Sequence, residues 1–203
     1  MSGNVPRQDL SFREAWRRDE SVETLWHPEN NGFLCALAPH GGDIEAGTDE
    51  AAAQLFKSMP DGNCSMWAFH GFGDDAFDEY HVTSTEISPD RFPKLGAIED
   101  VGFQYCVSFH VKGDADVIEV GGAADRELRR EVADVIEDAV EDNWSAEHRY
   151  GKIKYEGNSK TNVTNWLTCE SASGVQIELP IYAARNYRRR IGRGLSELYA
   201  DML

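Results

Sequence analysis

His40 and Glu45 stand five positions apart on a glycine-bearing turn, His40-Gly41-Gly42-Asp43-Ile44-Glu45, and are the pair in this sequence best suited to hold a metal ion. Imidazole nitrogen and carboxylate oxygen are the donors a hydrolytic zinc uses, and such a site takes about three protein ligands and leaves a further position for water. Glycine lets the backbone turn tightly enough to bring both side chains to one side. A third donor must come from elsewhere. Of the six histidines (27, 40, 70, 81, 110 and 148), His110 lies near the end of the apolar run Cys106-Val107-Ser108-Phe109-His110-Val111. If the strands ending near His40 and His110 are neighbours in one sheet, His40, Glu45 and His110 can converge on one ion. Each histidine taken alone is more often a surface or hydrogen-bonded residue, because imidazole does many structural jobs.

A water activated by a metal also needs a base to take its proton, and a glutamate at the end of another strand serves that purpose. Glu178 fits the pattern. In Gly174-Val175-Gln176-Ile177-Glu178-Leu179-Pro180, alternation puts Val175, Ile177 and Leu179 on one face and Gln176 and Glu178 on the other. The alternative is a solvent-facing glutamate on an edge strand that Pro180 ends.

The elements that must position these groups follow from the hydrophobic pattern. Strands are expected at Gly32 to Ala38, Cys64 to His70, Tyr80 to Thr85, Phe103 to Val111, Asp116 to Val120 and Val175 to Leu179, and helices at Thr48 to Ser58, Asp90 to Glu99, Asp125 to Glu141 and Tyr187 to Met202. Leu128, Val132, Val135, Ile136 and Ala139 mark one apolar face of the third helix. Thr48 and Asp125 are read as N-caps. Strands alternating with helices give an α/β fold, a single domain with a central mixed, largely parallel twisted sheet flanked by helices. Residues 31–203 form that domain. Residues 1–30 read as an N-terminal extension packed on it or loosely attached, with charged Ser11 to Glu23 forming a surface helix or remaining loose. Gly121-Gly122-Ala123-Ala124-Asp125 lacks the lysine of a P-loop and the spacing of a dinucleotide fingerprint, and reads as a tight strand-to-helix turn.

The chain has 203 residues, enough to bury a core without metal or disulfides, so a metal here is expected to be catalytic. With 20 Lys+Arg against 36 Asp+Glu, the formal net charge of −16 argues against nucleic-acid or anionic-membrane binding by bulk charge. Abundant acids, arginine in excess of lysine and a mean hydropathy of −0.52 suit a protein adapted to high salt, which points to a haloarchaeal source. The first ten residues lack the apolar core of a signal peptide, and no apolar run approaches the ~18 residues of a spanning helix, so a cytoplasmic protein is expected. Cys35, Cys64, Cys106 and Cys169 form no CxxC pair, and buried free thiols are the expected state.

Three stretches occur here in the order found in the poly-γ-glutamate hydrolases of phages and bacilli: Ala38-Pro39-His40-Gly41-Gly42-Asp43-Ile44-Glu45-Ala46-Gly47-Thr48-Asp49-Glu50, His81-Val82-Thr83-Ser84-Thr85 and Gly174-Val175-Gln176-Ile177-Glu178-Leu179. The sequence resembles that family from about Asn31 to Arg188. The resemblance implies a zinc carboxypeptidase-like fold, one Zn2+ held by His40, Glu45 and His110, Glu178 as general base, and hydrolysis of γ-glutamyl or related amide bonds. It also implies a substrate or supporting role for His81. Two positions depart from the family pattern. Asp43 stands where a third glycine is common, and in Asn162-Val163-Thr164-Asn165-Trp166 the final tryptophan replaces an arginine that would clamp a substrate carboxylate. Asn165 therefore remains a substrate-binding candidate without its usual neighbour, and Arg185, with Arg188 to Arg190 behind it, is a candidate to compensate. The expected partner is a γ-glutamyl peptide or other small N-acyl substrate. Alternatives are a zinc deacylase of small N-acyl amino acids and a non-catalytic binding protein, phage- or replication-associated, that retains the pocket.

Overall fold

The computed structural model describes residues 9–113, 117–140 and 144–203. Among them, seven strands form one sheet: β1 Ser21–Trp26, β2 Leu34–Gly42, β3 Cys64–Gly71, β4 Tyr105–Lys112, β5 Val117–Gly121, β6 Ser145–Glu147 and β7 Gly174–Pro180, in the order β1-β3-β2-β4-β7-β5-β6. The central run β3-β2-β4-β7 is parallel throughout, as is β5-β6, whereas β1 and β5 join β3 and β7 antiparallel. The helices are α1 Phe12–Arg18, α2 Thr48–Ser58, α3 Ala76–Tyr80, α4 Pro93–Gly96, α5 Arg126–Ala139, α6 Val163–Trp166, α7 Ile181–Asn186 and α8 Arg188–Ala200. The mixed, largely parallel α/β sheet expected from the pattern is present.

Burial explains why β2 is central. Leu34, Ala36 and Ala38 pack with Leu55 of α2 and with Ile191 and Leu195 of α8 on one face. Cys35 and Leu37 point the other way, into Trp67, Phe69, Phe92, Leu95, Val163 and Leu167. A strand apolar at both parities must be covered on both faces, and parallel connections bring helices to both. On α5, Leu128, Val132 and Ile136 are buried as its spacing requires, and Asp125 accepts from the Leu128 N–H as its N-cap. The reach of this helix to Glu141 and the start of the β5 strand at Asp116 lie outside the described residues. Cys35, Cys64 and Cys106 are buried free thiols, whereas Cys169 is exposed.

Several local readings are corrected. The sheet begins before residue 31: Ser21–Trp26 pairs with β3 as an edge strand, so the segment read as an extension is part of the sheet from Ser21 onward. Tyr80 to Thr85 is not a strand. Tyr80 ends α3, and the following residues cross the end of the sheet, with the Val82 carbonyl bonded to a histidine ring and the Ser84 carbonyl to the Val163 N–H rather than to a neighbouring strand. Of Asp90 to Glu99 only the turn Pro93–Gly96 is α-helical. Gly47, not Thr48, is the cap of α2, because the Thr48 hydroxyl is turned back toward the preceding turn.

Glu23 shows how the edge strand is held. Its carboxylate is fully buried and accepts from Trp67 Nε1 at 2.7 Å, the Lys94 N–H at 2.9 Å and the Leu95 N–H at 2.7 Å. One β1 side chain thus ties β3 and the start of α4 together. Glu23→Ala would leave these buried donors unpaired, and urea denaturation is expected to show a loss of roughly 3 kcal/mol or more; a loss under about 1 kcal/mol would mean that water replaces the carboxylate.

Candidate active site

The turn after β2 is closed by its own hydrogen bonds. Gly42 has φ 70°, and a Cβ there would lie 2.5 Å from the Gly71 carbonyl, so this position takes glycine for both conformation and space. The Glu45 N–H donates to the His40 carbonyl at 2.9 Å, and the Thr48 hydroxyl bonds to the carbonyls of His40 and Glu45 at 3.2 and 2.9 Å. The loop therefore doubles back, and His40 Nδ1 faces Glu45 Oε1 at 3.1 Å. The third group arrives from the neighbouring parallel strand. β2 and β4 are in register up to Leu37 and Ser108, so His110 reaches the sheet edge beside His40.

The three side chains are buried, and their donor atoms all lie within 4.8 Å of one another. The separations are 3.1 Å from His40 Nδ1 to Glu45 Oε1, 3.2 Å from His40 Nδ1 to His110 Nδ1, and 3.7 Å from His110 Nδ1 to Glu45 Oε2. Ligands about 2.0–2.1 Å from a tetrahedral ion stand about 3.3 Å apart, so this donor set fits zinc in chemistry and in spacing. The tautomer fits as well. His40 Nε2 bonds to the Val82 carbonyl at 2.8 Å, which puts the proton on Nε2 and leaves the Nδ1 lone pair facing the cluster. The Val111 N–H donates to Glu45 Oε2 at 2.9 Å and fixes the carboxylate. His110 Nε2 is buried with no hydrogen-bond partner among the described residues, so Nδ1 is the nitrogen this ring turns to the cluster.

His81 is held as a layer between two other rings. Its centroid is 4.1 Å from that of His40 and 4.6 Å from that of Phe77, and its Nε2 is 3.6 Å from Glu45 Oε1. Glu178 stands opposite His110 in the β4-β7 register, and its Oε1 accepts from Gln176 Nε2 at 2.8 Å. The Gln176 amide oxygen in turn accepts from Asn162 at 2.7 Å. His81, Glu45, His110 and Glu178 all line one cleft of about 920 Å3.

Arg185 of α7 also lines the cleft. Asn165 does not take a place there. It is fully buried, its amide donates to the Gly157 and Ser159 carbonyls and its oxygen accepts from the Ala123 N–H, so it supports the wall of the cleft instead of facing into it. Asp43 is on the rim with one oxygen taken by the Gly73 N–H, outside the cluster of donors. His70 pairs with Asp49, away from the cluster. The Asn162 amide and Lys154 were not legible as site residues, since each is placed by a loop distant in sequence, whereas the alternation of β7 had already put Gln176 on the face of Glu178.

The electrostatics follow from burial. Burial favours the neutral form of Glu45, but the adjacent His40, His81 and His110 outweigh it and hold the carboxyl far below its ordinary range. Burial likewise pulls His40 down, and the Glu45 charge and hydrogen bond more than reverse this. At His110 burial wins, and with repulsion from His40 and His81 it takes the ring down to about 3. Glu178 is pushed up to about 8, first by burial and then by the Glu45 charge.

Comparison with known proteins gives one consistent set of likenesses. The family model for poly-gamma-glutamate hydrolase matches residues 12–190. The UPF0714 protein YndL of Bacillus subtilis is 30% identical over 86% of this chain, and the SPbeta prophage-derived UPF0714 protein YoqZ of the same organism is 30% identical over 71%. The matches span 66% of YndL and 47% of YoqZ, so this chain covers only part of the length of those relatives. Among solved structures, a bacteriophage poly-gamma-glutamate hydrolase superposes with a TM-score of 0.66 at 22% identity, covering 89% of this chain and 88% of that one. YNDL in its apo, zinc-free form gives 0.68 at 22% identity, covering 94% and 95%. A metallo-carboxypeptidase from Pseudomonas aeruginosa gives 0.56 at 12% identity, covering 91% of this chain and 61% of that one, a likeness of fold.

The Glu178 shift has a consequence for metal-free protein. A carboxyl that ionises at about 8 folded, against an ordinary 4.5, binds its proton more tightly in the folded state. Stability from this group is full below about pH 4.5 and is lost as pH rises to about 8, a cost on the order of 4–5 kcal/mol. In chelator-treated protein, Glu178→Gln is expected to raise the unfolding temperature at pH 8.5 by several degrees while changing it little at pH 4.5; equal effects at both pH values would contradict a buried, high-pKa Glu178.

Proposed function

The chain belongs to the poly-gamma-glutamate hydrolase family, and on that premise we propose that it is a zinc-dependent amidohydrolase that cleaves γ-glutamyl or closely related amide bonds. The observation that carries this reading is the convergence of donor atoms from His40, Glu45 and His110 at the cleft that Glu45 and His110 line together with a buried carboxyl group, Glu178. Zinc as the metal is supported by the two imidazoles and one carboxylate of the donor set and by the zinc-free form in which the relative YNDL is described.

His40 Nδ1, His110 Nδ1 and one oxygen of Glu45 would hold the zinc, which when bound lowers the pKa of water and polarises the amide carbonyl. Val111 N–H and the His81 ring steady Glu45, so that its orientation does not depend on the metal alone. Glu178 takes a proton as the water oxygen bonds to the carbonyl carbon. It then delivers that proton to the nitrogen as the C–N bond breaks, leaving a carboxylate and an amine. The Gln176 N–H on Oε1 fixes the carboxyl plane for both transfers. A positive charge placed nearby brings the Glu178 pKa down from its metal-free value, which readies it as a base at neutral pH.

Protein purified without chelator is expected to carry about one zinc per chain. Glu178→Gln should retain that zinc and lose roughly 10²–10⁴-fold in kcat on γ-linked glutamyl peptides. Metal analysis with peptides of γ and α linkage tests both points: failure to take up zinc removes the metal, undiminished turnover removes Glu178, and cleavage confined to α-linked peptides removes the γ-glutamyl assignment.

A further inference from the structure

Four carboxyl groups and three Lys or Arg cations line the cleft. Its carboxylates are each engaged: Asp43 with the Gly73 N–H, Glu45 with Val111 and the imidazoles, Glu156 with the Gly151 N–H and Asn158, and Glu178 with Gln176. Lys112, the most deeply set cation, is buried and bonded to Glu119 at 2.7 Å. Two cations remain. Lys154 and Arg185 line the same cleft, and neither forms an ion pair with a carboxylate among the described residues.

Neither position is casual. Glu119 Oε2 accepts the N–H groups of Lys154 and Tyr155, both at 2.9 Å, while its other oxygen holds Lys112. The Gly122 N–H bonds to the Glu156 carbonyl at 2.7 Å, and Asn165 holds the Gly157 carbonyl. The segment carrying Lys154 is thereby fixed over β5, the strand beyond Glu178 in the sheet order, and the Lys154 ammonium packs 4.7 Å from the Tyr155 ring centre. Arg185 stands on another wall, on the helix that continues from β7. There it also borders a second hollow of about 580 Å3 that shares Asp43, Ala46 and Arg185 with the cleft, so the two hollows adjoin at the arginine.

In a chain of net charge −16, two unpaired cations on separate walls of one cleft answer to anionic groups on what binds there. Resting on the amidohydrolase reading, we infer that Lys154 and Arg185 select substrates that carry free carboxylates near the scissile amide, with Arg185 contacting a unit of the chain that continues into the second hollow.

The test compares a γ-linked glutamyl trimer having free α-carboxylates with the same trimer having α-carboxamides, using the zinc-loaded protein and its Lys154→Gln, Arg185→Gln and doubly substituted forms. The expected acid-to-amide ratio of kcat/KM is tenfold or more, falling severalfold in each single variant and close to unity in the double, through KM. A parent that does not discriminate, or a ratio unchanged in the double variant, overturns the inference. Calorimetric binding of both trimers in the Glu178→Gln background separates it from the premise. If neither trimer is cleaved by the parent but the binding preference for the acid falls about tenfold with both substitutions, the hydrolytic reading fails and the selection stands. Cleavage with a binding preference indifferent to both substitutions sinks the selection alone.

Discussion

A buried carboxylate surrounded by imidazoles is the constraint on which this site depends. Glu45 is 7% exposed, and an ionised carboxylate so far from water must be compensated. His40 at 3.1 Å, His81 at 3.6 Å and the Val111 N–H at 2.9 Å provide that compensation, and each comes from a different element. The cluster thus links the β2 turn, the segment after α3 and the end of β4. The same charge lies behind the opposed states of its neighbours: it draws His40 upward and contributes to holding Glu178 in its proton-bound form. A divalent cation at this point would relieve the repulsion between Glu45 and Glu178.

The parallel run β2-β4-β7 converts that local chemistry into a cleft. Parallel neighbours end at the same edge of a sheet, so His40, His110 and Glu178 come together there although they are far apart in sequence. The antiparallel strand β5 then brings Glu119 beside Glu178 in register. Glu119 does not crowd the site with another free charge, because Lys112 and two backbone N–H groups satisfy it. It serves as the anchor for the wall that bears Lys154. Asn165 and Asn162 act in the same way, one holding the loop at Gly157 and the other the Gln176 amide that steadies Glu178. The polar interior around the cleft is therefore a connected scaffold with few degrees of freedom.

Local sequence carried a good part of this. The apolar runs at β2, β3, β4 and β7 and the period of α5 identified those elements, because burial on a regular lattice leaves a regular pattern. β1 was hidden, since its buried Glu23 and exposed Trp26 reverse the usual polarity; only the partners Trp67 and Leu95 make a carboxylate acceptable inside. His81-Val82-Thr83-Ser84-Thr85 has strand-like residues yet is a crossing segment. Its carbonyls are satisfied by the His40 ring and the Val163 N–H, partners that no window around residue 82 contains.

The sequence by itself determined the central sheet and the turn that sets His40 beside Glu45, because glycine conformation, side-chain period and donor chemistry act over a few residues. It also made His110 and Glu178 eligible. Tertiary structure decided the rest: that His110 lies 3.2 Å from His40, that Glu178 is buried enough to ionise at about 8, that Asn165 turns into the scaffold, and that Lys154 and Arg185 come to line the same cleft. These depend on strand order and on loops closed by hydrogen bonds between distant residues. Distance and desolvation set their strength, and neither is encoded in the spacing of residues along the chain.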